Sequence, residues 1–208
     1  MVCTNPSSNL RLRSGIAPVN RFLAAGVRVG LGLDEAGLND DRDMLQEMRL
    51  ALRIHRTPGM DDDVPTSADV FRMATEDGAL TTPYDKHIGV LDVGCAADLV
   101  LMPWRHLAHP YLDPDTSVLD AVVHRARTSA IDTVLVGGEV VLREGRITRV
   151  DKAAALEELA ATLCSPPTEE DNQRRRLSRA IFPYVRQFYT GWLDEKALDP
   201  FYRQNSRS

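Results

Sequence analysis

The chain has little cysteine, no long apolar run and no excess of positive charge, and each shortage removes a class of protein from consideration. Three cysteines, Cys3, Cys95 and Cys164, are odd in number, widely spaced and outside any Cys-x-x-Cys. That pattern fits reduced thiols, not a disulfide framework or a structural zinc knuckle. No stretch approaches the eighteen or so apolar residues of a membrane span, and the start has no signal-peptide pattern, so a cytoplasmic protein away from membranes is expected. The formal charge is −5 over 208 residues. The basic run Arg174-Arg175-Arg176 follows Glu169-Glu170-Asp171 directly, which reads as a solvated helix face and not as a phosphate-binding stripe, so no nucleic-acid partner is expected. With 43% hydrophobic and 26% charged residues the chain otherwise has ordinary globular composition.

What is present concentrates between Thr4 and Glu35. Val27 to Leu33 reads Val-Arg-Val-Gly-Leu-Gly-Leu, a β-branched and glycine run of strand length, and it ends in Asp34. Ile16 to Ala25 before it has a helical pattern, with Pro18 suited to a first turn and Gly26 in a helix-stopping position. Helix, strand and then carboxylate is the order in which barrel enzymes deliver reactive groups to the carboxyl ends of their strands. An aspartate after a strand also commonly caps the next turn. Position alone leaves Asp34 open between these two roles.

The residues also resemble a family. Asn5-Pro6-x-Ser8-Asn9-x-x-Leu12-x-Ser14-Gly15-Ile16-Ala17-Pro18-Val19, then Gly26-Val27-x-Val29-Gly30-Leu31-Gly32-x-Asp34, resembles the last two barrel strands of the metal-dependent amidohydrolases. The likeness is to their cytosine, S-adenosylhomocysteine and triazine deaminase or chlorohydrolase branch. It continues through Arg42-Asp43-Met44-x-x-Glu47-Met48-Arg49, Met73-Ala74-Thr75-x-x-Gly78-Ala79, Ile88-Gly89-x-Leu91-x-x-Gly94-x-Ala96-Ala97-Asp98-Leu99-Val100 and Val134-x-Val136-x-Gly138-x-Val140-Val141. Ordered blocks at these spacings carry more than any one of them.

The resemblance implies an α/β fold: the carboxyl-terminal part of a (β/α)8 TIM barrel over residues 1–86, part of a small composite β-sandwich over 87–150, and a helical tail over 151–208. It implies hydrolysis of a carbon-nitrogen bond in a small ring substrate by water activated on a divalent metal, zinc by family habit. Asp34 would then be both metal ligand and catalytic proton carrier. The family's remaining ligands are a His-x-His and single histidines on earlier strands. None of His55, His87, His106, His109 and His124 forms His-x-His or precedes Asn5. Zinc takes three or four protein ligands, and a complete barrel takes about 250 residues. The chain is therefore expected to be an incomplete amidohydrolase without turnover of its own, its partners a missing amino-terminal portion or further copies in a homo-oligomer. The alternative is a catalytically inactive fragment serving as an interaction piece or as half of a split enzyme.

Where many relatives carry Thr-Asp-Gly, this chain carries Leu33-Asp34-Glu35. Glu35 is a candidate to bind a polar substrate nitrogen, or else caps the following turn. Asn39 and Asp40 come next as candidate pocket residues.

Further along, Asp41 to Arg56 reads as a helix with acidic residues at its start, and Glu47 and Arg49 read as part of its charged outer face. Thr66 to Thr82 reads as one capped helix. Ala97 to Trp104 reads as a buried strand with a structural Asp98, and Ile131 to Thr148 as a hairpin meander turning at Gly137-Gly138 and Glu144-Gly145. His106-x-x-His109 reads as loop histidines. Lys152 to Leu163 and Glu169 to Tyr189 read as helices, followed by aromatics that suggest packing on the body or a partner.

Overall fold

Parallel strand pairing needs a long crossover, and the first 31 residues supply one. β1 (Val2–Thr4) lies parallel to β2 (Val29–Leu31), with Cys3 opposite Gly30. Between them run α1 (Pro6–Leu12) and α2 (Val19–Ala24). A computed structural model describes residues 1–34, 42–56, 60 and 63–191. Contacts divide the chain into two units, Met1–Arg149 and Val150–Ser208.

All three residues of β2 are buried. Gly30 leaves room for the neighbouring segment: a Cβ there would lie 3.0 Å from the Thr81 methyl and 3.3 Å from the Asp77 carbonyl oxygen. Gly26 takes φ +71, a conformation that costs glycine little, and so turns the chain from α2 into β2.

α3 (Met44–Ile54) is capped by the Asp43 carboxylate, which accepts the Leu45 and Gln46 N–H groups. α4 (Ser67–Ala74) opens with a reciprocal capping box between Thr66 and Asp69. Removing that cap with Thr66→Ala is expected to cost about 1 kcal/mol, read as a lower urea midpoint for exchange of the α4 amides. The helix expected over Thr66–Thr82 is not continuous. It breaks at Thr75 (φ −121, ψ −91) before α5 (Glu76–Ala79). The Thr75 hydroxyl donates to the Phe71 carbonyl at 2.8 Å, a back-bond that bends helices.

β3 (Leu99–Leu101), α6 (Trp104–Ala108) and α7 (Val118–Arg125) precede β4 (Thr133–Val136), β5 (Glu139–Arg143) and β6 (Arg146–Ile147). These strands form an antiparallel sheet in the order β3-β4-β5-β6, as the meander pattern implied. β3 is shorter than the expected buried strand. Val100 and Leu101 are about half exposed, because Trp104 already belongs to a helix and the strand's apolar run faces outward. Asp98 is structural, accepting the Gly137 N–H at 2.7 Å and so bracing the β4–β5 turn.

The core joins Val19, Val29 and Leu31 to Leu45, Met48, Ala51 and Leu52 of α3, Val70 and Met73 of α4, and Val123 and Ala126 at α7. The sequence patterns did not reveal α7; eight residues is short for a periodicity signal.

In the second unit α8 (Lys152–Leu163) and α9 (Glu169–Phe188) form where expected. Phe182, Tyr184, Phe188 and Tyr189 are exposed, with local contacts such as Phe188 edge-on to Tyr189 at 5.2 Å. Trp192, Phe201 and Tyr202 lie outside the described residues. Among the described residues no helix is long and apolar enough to cross a membrane.

Candidate active site

Ladder bonds carry the parallel pair one step past its last residues: the Gly32 N–H donates to the Thr4 carbonyl at 3.0 Å. A Cβ on Gly32 would collide with the Asn5 side-chain oxygen, so glycine lets Asn5 fold over the strand end. Two residues on, Asp34 stands exposed at the carboxyl end of β2 with φ +61, a left-handed backbone that aspartate tolerates better than most residues.

The Asp34 carboxylate is held from the side. Ser8 Oγ donates to Asp34 Oδ2 at 2.5 Å, the length of a charge-assisted hydroxyl–carboxylate bond. Ser8 is fully buried in α1. The neighbouring Ser7 N–H donates to Glu47 Oε2 at 3.3 Å, so the start of α1 is tied to α3. Among the described residues, Asp34 Oδ1 has no hydrogen-bond partner.

Glu47 and Arg49 are not on an outer face. They are 2% and 7% exposed. Arg49 Nη1 donates to the Ala126 carbonyl at 2.8 Å, and Nη2 lies 3.8 Å from Asp43. Burial lowers the Arg49 pKa from its ordinary value. Charged residues are rarely buried unless paired, and here the pairing comes from α1 and α7, which helical spacing could not reveal. Ser8 was legible only as a member of the Asn5-Pro6-x-Ser8-Asn9 block; its partner lies 26 residues away.

Glu35, Asn39 and Asp40 lie outside the described residues. Among the described residues no group of three or more His, Cys, Asp or Glu side chains could hold a metal ion. His106 and His109 are exposed and form no such group with Asp34. Zinc needs three or four protein ligands, so the described residues do not by themselves make a zinc site.

His55, at the end of α3, is buried. Its carbonyl accepts Asn20 Nδ2 at 2.9 Å, while its Nε2 and Asn20 Oδ1 are buried with no partner among the described residues. Burial pushes its pKa below the ordinary histidine value. The unfolded chain then binds the proton first, so the stability held above the usual pKa of about 6.5 is lost as pH falls below it. The urea midpoint of the first unit is expected to drop between about pH 7 and pH 5, and less in His55→Gln, which lacks the titrating group.

The sequence model of the amidohydrolase family matches residues 1–141. A 5-methylthioadenosine/S-adenosylhomocysteine deaminase of Desulforudis audaxviator is 42% identical over 161 residues, covering 77% of this chain and 37% of the relative. A 5'-deoxyadenosine deaminase of Methanopyrus kandleri is 34% identical over 157 residues, covering 76% and 36%. Among solved structures, a zinc-bound adenosine deaminase from Xanthomonas campestris superposes with TM-score 0.69 at 28% identity, over 76% of this chain and 36% of that one. Atrazine chlorohydrolase from Arthrobacter aurescens TC1, complexed with zinc, does so with TM-score 0.66 at 25% identity, over 76% and 35%. The chain spans about a third of the length of the curated relatives it matches.

Proposed function

This chain belongs to the amidohydrolase family, and we propose that it supplies the strand-end carboxylate of a deaminase whose remaining active-site residues lie outside it. The reaction is hydrolytic loss of an amino group from the ring of a small nucleoside-type substrate, the class named for its relatives. The observation that carries this reading is the placement of Asp34: exposed, at the carboxyl end of β2, with β1 parallel beside it. In this reading β1 and β2 are the last two strands of a (β/α)8 barrel spanning residues 1–86, with a partial β-domain over 87–150 and a helical tail over 151–208.

With Oδ2 held by Ser8, Oδ1 is the atom that accepts a proton from the attacking water and returns it to the departing nitrogen. A positioned general base suits a step in which water must lose a proton as it attacks. Glu35, next in sequence, is proposed to meet a polar nitrogen of the ring. Zinc is the metal found in two structural relatives, and Asp34 is the one ligand proposed for this chain. The protein is proposed to act in the cytoplasm, away from membranes and nucleic acid, as a homo-oligomer whose sites are completed by residues from outside this chain.

The test is complementation. The 208-residue chain is co-expressed with the part of the Desulforudis audaxviator relative that lies outside the match, and ammonia release from 5'-methylthioadenosine is followed with added zinc. Turnover is expected from the co-purified pair and from neither piece alone. A zinc-loaded pair that releases no ammonia, or an equally active Asp34→Asn pair, overturns the reading. The lack of a metal-capable cluster among the described residues favours a second reading, an inactive interaction piece, which predicts co-purification with no turnover in any arm.

A further inference from the structure

Hydroxyl–carboxylate bonds recur in this chain, and most are local. Thr66 with Asp69, Ser117 with Asp120 and Thr168 with Asp171 each lie three residues apart at a helix start, where they cap the helix. The bond from Ser8 to Asp34 spans 26 residues and caps no helix among the described residues. The residue before α1, Asn5, makes no side-chain cap, and Asp34 lies beyond the end of β2.

The two partners also differ in surroundings. Ser8 is 0% exposed, whereas Asp34 is exposed. The serine rests on α1, whose start is held by the Asn9 N–H to Asn5 carbonyl bond at 2.9 Å and by the Ser7 N–H to Glu47. Glu47 itself is buried in α3. A rigid, buried donor therefore reaches out to an exposed acceptor. An exposed carboxylate otherwise samples several rotamers, and ordering it costs side-chain entropy. A group that must meet a reacting atom has to be held close to one geometry by supporting contacts.

We propose that Ser8 is a positioning residue: its hydroxyl holds Asp34 Oδ2 and so turns Oδ1 toward the reacting atoms, with Glu47 fixing the helix that carries Ser8. Ser8 acts through Asp34 and touches no substrate. This rests on the reading of Asp34 as the reacting carboxylate, but the hold itself is measurable without turnover.

In the 208-residue chain, three-bond couplings measured by NMR report the Asp34 χ1 angle. A single rotamer is expected in wild type and in Ser8→Thr, which keeps the hydroxyl, and averaged couplings in Ser8→Ala. Averaged couplings in the wild-type chain overturn the proposal without recourse to any variant. In the complemented deaminase, Ser8→Ala is expected to lower kcat about 10- to 100-fold with KM little changed, since small misplacements of a reacting group cost up to about that much. Ser8→Thr is expected to recover most of the loss. Unchanged kcat in Ser8→Ala, with Asp34→Asn inactive, overturns the positioning role and leaves the deaminase reading intact. Full activity in Asp34→Asn overturns the deaminase reading and the positioning role that depends on it, and the couplings still decide whether Ser8 holds Asp34.

Discussion

Asp34→Asn is expected to cut ammonia release by the complemented pair by about 10²- to 10⁴-fold, the range for loss of a positioned general base. Asparagine is the right probe because it keeps the size of the side chain and tolerates the left-handed backbone that Asp34 adopts at φ +61. It can still accept the Ser8 hydroxyl through its amide oxygen. What it cannot do is take up the proton of an attacking water. Alanine would be less clean, since it also meets strain at positive φ. Asp34 is exposed, so the urea midpoint of the chain should move by little, about 0.5 kcal/mol or less in free energy. Steady-state kinetics and the urea midpoint together check this. A fall in both would mean that Asp34 serves the fold, as the capping alternative holds, and a fall in neither would remove it from the reaction.

Leu52→Ala should lower the stability of the first unit by about 2 to 5 kcal/mol, the cost of deleting a buried leucine side chain and leaving a cavity. Leu52 is 1% exposed and sits on α3 in the cluster with Met48, Val70 and Met73. The same helix carries Glu47, which ties down the start of α1, so loss of α3 packing also loosens the support of Ser8. Because the chain divides into two units, whole-chain helicity would blur the effect. Hydrogen exchange of the α3 and α4 amides against urea reads it directly. Leu52→Met, which keeps the volume, is expected to cost less than about 1.5 kcal/mol. Equal midpoints for Leu52→Ala and wild type would show that this core does not hold the unit together.

Several elements are legible in the amino-acid sequence because their signals are local. The Val27–Leu33 run contains β2, the acidic residues before Met44 include the Asp43 cap, and Gly137-Gly138 marks the β4–β5 turn. Family blocks carry farther, since each joins residue type to spacing, and they identified the amidohydrolase relationship that the comparison over residues 1–141 shows. Other features depended on what packs where. Thr75 breaks a helix whose apolar periodicity runs on to Leu80, because its hydroxyl competes for a backbone carbonyl. Val100 and Leu101 have the composition of a buried strand and are about half exposed.

By itself, the sequence determined the family, the strand that leads to Asp34, the Thr66 cap and the hairpin turns, since each of these is written in neighbouring residues. Only the tertiary structure decided that Glu47 and Arg49 are buried and that a serine 26 residues away holds Asp34. The physical reason is that propensity and periodicity act over one or two turns of chain, while burial of a charge is permitted or forbidden by partners that folding brings from elsewhere.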